Sequence, residues 1–148
     1  MTKRSPYYSK SMIQDSIFKA YDIRGKYPSE INEGIVGEIV GKFIANQLTR
    51  LKSKNLNIVV GHDTRLSSPK IYSSLRNSLK ILNFKLKIIP VGISTTPMLY
   101  FLVNKHEADF GIMITASHNP KEYNGIKIVG KNAKPISGKE VFNEIKNN

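Results

Sequence analysis

With 148 residues, 40% apolar and 23% charged, the chain is long enough to bury a core as one domain, and its composition is not that of a disordered segment. Cysteine is absent, which excludes disulfides, a thiolate nucleophile and a thiolate zinc site; His62, His106 and His118 lack metal-ligand spacing. The net charge of +12 suits a polyanion, but the basic residues are scattered and never interleave with aromatics in a long run, so phosphorylated small molecules are expected rather than nucleic acid.

Residues 1–16 are basic and rich in Ser and Tyr. They lack the apolar centre of a secretory signal and read as a flexible leader. No apolar stretch approaches the roughly 18 residues of a membrane span, so a cytoplasmic protein without a membrane partner is expected. Ile17 to Ile23 reads as a short strand closed by Arg24-Gly25. Ser29 or Asn32 can cap a helix reaching about Leu51, with Ile35, Val36, Ile39, Val40, Phe43, Ile44 and Leu48 at helical spacing. Leu56 to Val60 is a compact apolar strand that ends at Gly61-His62-Asp63. Ser68-Pro69 looks like an N-cap followed by a first-turn proline, opening a helix with Ile71, Leu75, Leu79 and Leu82 on one face.

Leu86 to Val91 is the next strand, and Thr96-Pro97 repeats the cap-and-proline start of a shorter helix to about Asn104. Asp109 to Thr115 is a strand, Asn124-Gly125 a tight turn, Gly125 to Val129 a last strand, and Ser137 caps a terminal helix to Lys146. Strands alternating with helices predict a layered α/β/α domain over residues 17–135, with a mixed, mostly parallel sheet. Residues 136–148 read as a helix leading toward a second domain.

The stretch with most chemistry is Thr115-Ala116-Ser117-His118-Asn119-Pro120, which places a hydroxyl in a polar loop at a strand end, with Lys127 ten positions later. A hydrolase elbow would need glycines flanking Ser117, and His118 is too close in sequence to act as the base of a triad. Phosphoryl transfer fits better, because it needs cations and backbone donors around a positioned hydroxyl. Lys127, Arg24 and His118 are candidate donors. The Gly-x-x-x-x-Gly-Lys phosphate loop is absent.

Four ordered blocks then carry a family resemblance: Phe18 to Gly25, Gly61 to Pro69, Gly92 to Pro97, and Thr115 to Lys127. From Ile17 to the C-terminus the chain resembles the N-terminal domain of the α-D-phosphohexomutases. Ala20-Tyr21-Asp22-Ile23-Arg24-Gly25 is similar to the phosphomannomutase/phosphoglucomutase branch, with a phosphoglucosamine mutase-type paralogue or a non-catalytic phosphate-binding module as alternatives. The resemblance implies that Ser117 is the phosphoserine of an isomerase that interconverts hexose 1-phosphate and 6-phosphate through a hexose 1,6-bisphosphate. It implies Lys127 as general acid/base, a role that asks for a depressed pKa. His118 would touch the phosphoryl group, while Tyr21 and Arg24 would meet substrate. Asp63 and Arg65 would brace the serine loop, and Asn119-Pro120 would shape its exit. Mg²⁺ would bind a Ser117 phosphate oxygen. The family's Asp-Gly-Asp-x-Asp-Arg metal loop belongs to a second domain and is not in this sequence. The implied partners are therefore hexose phosphates and further domains of the same polypeptide, and residues 1–148 alone are expected to be inactive. Oligomeric state and sugar preference stay open.

Overall fold

The structure is a computed structural model that describes residues 13–52, 55–82 and 85–147. Residues 1–12 of the expected leader, and residue 148, lie outside the described residues. In chain order the elements are β1 (Ile23–Lys26), α1 (Glu33–Leu51), β2 (Leu56–His62), α2 (Ser68–Leu82), β3 (Leu86–Ile93), α3 (Thr96–Lys105), β4 (Phe110–Ile114), β5 (Tyr123–Val129), β6 (Pro135–Ile136) and α4 (Gly138–Lys146).

The strands form one sheet in the order β1-β5-β4-β2-β3, with β6 also paired to β5. β2 is parallel to both β3 and β4. β5 is antiparallel to β4, β1 and β6. It follows that β5 alone runs against a common direction, which is the mixed α/β sheet expected. The reversal arises because β4 and β5 are joined by the short loop 115–122, too short for the helical crossover that a parallel neighbour requires.

Two cores fill the two faces. Ile58, Val60, Ile112, Ile114 and Ile126 pack against Ile39, Val40 and Phe43 of α1, Ile71, Leu75 and Leu79 of α2, and Val141 of α4. Val59, Met113 and Val129 pack on the other face against Leu99 and Val103 of α3. The central β4 is buried on both faces, which explains why it reads as an unbroken apolar run instead of an alternation. Among the described residues no helix is long and apolar enough to cross a membrane.

Local starts differ from the sequence reading in three places, and the structure decides between the two caps open for α1. The first strand begins at Ile23, where it was expected to end. Asp15–Ile17 is instead a 3₁₀ turn, and the Lys19 amide bonds the Asp22 carbonyl at 2.8 Å to fold the chain back before β1. Asn32, not Ser29, caps α1 by accepting from the Ile35 amide at 3.0 Å. Thr95 rather than Thr96 caps α3, accepting from Met98 at 3.2 Å. Asn124-Gly125 is not a turn: both residues lie inside β5, opposite Gly25 and Arg24. Ser137 does cap α4, in a reciprocal box with Glu140.

Gly125 is there because of crowding. A Cβ on it would stand 2.2 Å from the Ile23 carbonyl oxygen and 2.9 Å from the Arg24 Cα, and neither backbone atom can move without parting β1 from β5. Gly125→Ala is expected to cost about 2–4 kcal/mol, read as a lower urea midpoint; an unchanged midpoint would contradict the close pass. Beside β1, the Tyr27 hydroxyl donates to Glu33 Oε1 at 2.5 Å. That bond, then burial and the Glu33 charge, push the phenol from 10.0 up to about 12. Because the folded-state value lies above the unfolded one, the associated stability is complete below pH 10 and is lost as pH rises through 12. Tyr27→Phe should remove that alkaline limb from a stability-versus-pH series.

Candidate active site

The strands that share a direction deliver three loops to one end of the sheet. β2 ends at His62 and leads into Asp63–Arg65. β3 ends at Ile93 and leads into Ser94–Thr96. β4 ends at Ile114 and leads into Thr115–Asn119. This is where doubly wound sheets place ligands. A groove of about 1250 Å³ lies between these loops; its wall includes Asp63, Arg65, Ser117, His118, Asn119, Lys121 and Lys127.

Lys127 reaches the groove because it sits opposite Met113 in the β4–β5 register, so both side chains leave the α3 face of the sheet. Lys127 is half-buried, while Ser117 and His118 are exposed. Among the described residues no carboxylate pairs with Lys127. Among the described residues Asp63 is the sole carboxylate on the groove wall, against Arg65, Lys121 and Lys127, so the electrostatics favour an anion.

Ser117 has φ 53°, a left-handed conformation that costs a non-glycine residue about 1–2 kcal/mol. Its amide donates to Thr115 Oγ1 at 3.0 Å. The Asn119 side chain donates to the Ala116 carbonyl at 2.8 Å, and its own amide to the same oxygen at 3.1 Å. The rest of the loop is held from outside. Arg65 Nη1 donates to the carbonyls of Pro120 at 2.7 Å and Tyr123 at 3.1 Å. Its Nη2 donates to those of Ser117 at 2.9 Å and Asn119 at 2.7 Å. Its Nε lies 3.3 Å from Asp63 Oδ2.

A guanidinium has five N–H donors; four are hydrogen-bonded to these carbonyls and the fifth, on Nε, faces the Asp63 carboxylate in the ion pair. Arg65 therefore holds the serine loop and leaves no side-chain nitrogen uncommitted. Asp63 is equally committed: Oδ1 accepts from the Arg65 amide at 3.0 Å and from the Ser68 hydroxyl at 2.6 Å. The Ser68 hydroxyl, expected as a helix cap, is thus turned into the site.

Tyr21 and Arg24 are placed differently from the groove residues. Tyr21 is 77% exposed in the turn before β1. Arg24 lies on β1 with its Nε 3.4 Å from Asp22 Oδ1. Its pairing with Gly125 puts it on the same sheet face as Lys127, but neither residue lines the groove. The sequence reading missed Asn124, Ser67 and Ser68 as site-end groups, along with the wall formed by Ile93, Ser94, Met98 and Tyr100. The four matching blocks contained several of these residues, but only the sheet order shows that the blocks meet.

The residues present do not make a magnesium site by themselves. No cluster of three or more His, Cys, Asp or Glu side chains occurs among the described residues, and the Asp63 carboxylate on the groove wall is already engaged, by two hydrogen bonds to Oδ1 and the Arg65 ion pair at Oδ2. Arg65→Lys offers three donors on one nitrogen where four dispersed carbonyls need partners. It is expected to cost about 2–4 kcal/mol and to speed amide exchange in residues 117–123. Wild-type exchange in that loop would contradict the clamp.

Comparison with known proteins shows the family of the domain. The family profile described as phosphoglucomutase/phosphomannomutase, alpha/beta/alpha domain I, matches residues 15–148. A phosphomannomutase from Klebsiella pneumoniae is 42% identical over 130 residues, covering 86% of this chain and 76% of that protein. A protein named for phosphohexose mutases from Xanthomonas campestris pv. campestris (strain B100) is 42% identical over 120 residues, covering 81% of this chain but 25% of the relative. A crystal structure of a phosphoglucomutase/phosphomannomutase family protein from Burkholderia thailandensis superposes with a TM-score of 0.75 at 29% identity, over 92% of this chain and 31% of that one. The chain thus spans about a quarter of the length of several curated relatives that it matches.

Proposed function

The chain belongs to the phosphoglucomutase/phosphomannomutase family as its first, α/β/α domain, and from that premise we propose that Ser117 is the phosphoryl carrier of a hexose-phosphate mutase. The observation that carries the reading is the loop itself: Ser117 projects from a backbone fixed by Arg65 into a groove shared with His118 and Lys127. A phosphoryl group there meets cations without having to displace an internal ion pair of Lys127.

In the proposed step the bond between phosphorus and Ser117 Oγ breaks as phosphorus bonds a hydroxyl oxygen of a hexose phosphate. The proton of that hydroxyl passes to Lys127 and on to the serine oxygen. The resulting hexose 1,6-bisphosphate turns round and returns its other phosphoryl group to Ser117, so phosphate moves between the 1- and 6-positions. His118 donates a hydrogen bond to the phosphoryl oxygens. Arg24, on the face that carries Lys127, and Tyr21 meet the substrate from the β1 side. Bound Mg²⁺ would supply charge neutralisation, and its carboxylate ligands would come from outside residues 1–148.

Hexose 1,6-bisphosphate labelled with ³²P should label the gene product that carries this chain, at Ser117 by peptide mapping. Ser117→Ala should lose the label. A wild-type protein that takes up no label overturns the reading. Residues 1–148 alone should give negligible interconversion of hexose 1- and 6-phosphates, and substantial turnover by this piece would contradict the need for outside ligands.

A further inference from the structure

Asn124 is a buried polar side chain at the site end that the phosphoryl-transfer reading does not use. It has 0% exposure. Its Nδ2 donates to Ser67 Oγ at 2.7 Å and Ser68 Oγ at 3.0 Å, and its Oδ1 accepts from the Gly125 amide at 2.8 Å. Ser68, also 0% exposed, spends its own hydrogen on Asp63 Oδ1 at 2.6 Å. Asp63 holds Arg65, and Arg65 holds the serine loop. A single hydrogen-bonded chain therefore runs from β5, three residues before Lys127, to the backbone of Ser117.

We propose that Asn124 is a positioning residue that fixes the Ser117 loop against the strand carrying Lys127; this rests on the phosphoryl-transfer reading above. The donor arithmetic explains why an amide stands there. Ser68 has one hydrogen and gives it to Asp63, so whatever faces Ser68 from β5 must donate. An amide can donate to both serines and still accept from Gly125. A carboxylate of the same shape cannot donate, and would compete with Asp63 for the single Ser68 hydrogen. An apolar residue would take that donor from both serine hydroxyls, one of them, Ser68, fully buried. Two groups that must exchange a proton and a phosphoryl group lose rate steeply with small misplacement, so this link acts on the reaction and not only on stability.

Asn124→Asp and Ser68→Ala test it in the gene product that carries this chain. Ser68→Ala removes one oxygen without adding volume and so keeps the fold if Asn124→Asp does not. Each variant is expected to lower kcat on the order of 10²-fold with KM within about threefold, and to speed exchange of amides 116–123 at least about tenfold while β2 and β4 keep theirs. Asn124→Asp combined with Arg65→Lys should lose little beyond the larger single loss, because both act through one chain. The proposal is overturned if the folded variants keep wild-type kcat, if the two losses multiply in full, or if loop exchange stays normal. A wild-type protein without mutase turnover sinks the phosphoryl-transfer reading instead, and loop exchange in Asn124→Asp and Ser68→Ala then decides by itself whether Asn124 holds the loop.

Discussion

The loop between β4 and β5 turns the carbonyls of Ser117, Asn119, Pro120 and Tyr123 toward one point, and the guanidinium of Arg65 fills that point. Without it, a tight loop with a left-handed serine would carry a conformational penalty of about 1–2 kcal/mol and four converging acceptors with no shared donor. Charge-assisted hydrogen bonds contribute roughly 1.5–3 kcal/mol each, so the clamp outweighs the strain at Ser117 even after generous discounting for solvent. The hydroxyl is thereby held outward in a conformation that the local sequence disfavours.

The clamp depends on the sheet. Arg65 lies just past the end of β2 and the serine loop just past the end of β4, and these strands are parallel neighbours in register from Ile58 with Phe110 to His62 with Ile114. A further bond from the Asp63 amide to the Ile114 carbonyl, at 3.0 Å, extends the pairing to the loop roots. The two cores set that register: a slip by one residue would exchange Val60 and Ile112 on one face with Val59 and Met113 on the other. Apolar packing in mid-sheet thus fixes where a polar loop stands at the edge.

Much of the fold was legible in the sequence because its elements are strongly periodic. α1 and α2 bury nearly all the residues that helical spacing selects, and β2 and β4 are the apolar runs they were expected to be. What failed were local starts. Ile17 is buried as an expected strand residue would be, yet it belongs to a 3₁₀ turn. Asn-Gly at 124–125 carries the composition of a hairpin turn but occupies a crowded strand, where the glycine admits β1 and the asparagine serves the site. Ser68 has the look of a cap, and its hydroxyl goes to Asp63. In each case a tertiary partner took a group that short-range rules assign to its own neighbourhood.

The sequence by itself determined the α/β class, the order of the elements and the family to which the chain belongs, and it singled out Ser117, His118 and Lys127 as candidates for one site, because those follow from periodicity and from local blocks of residues. Tertiary structure alone decided that Arg65 is consumed in holding the loop, that Lys127 shares a groove with Ser117 while Tyr21 and Arg24 do not line it, and that Asn124 connects the two halves of the site. The reason is geometric. Whether a donor serves ligand or loop depends on which acceptors surround it, and those acceptors come from strands far apart in sequence that only the sheet brings side by side.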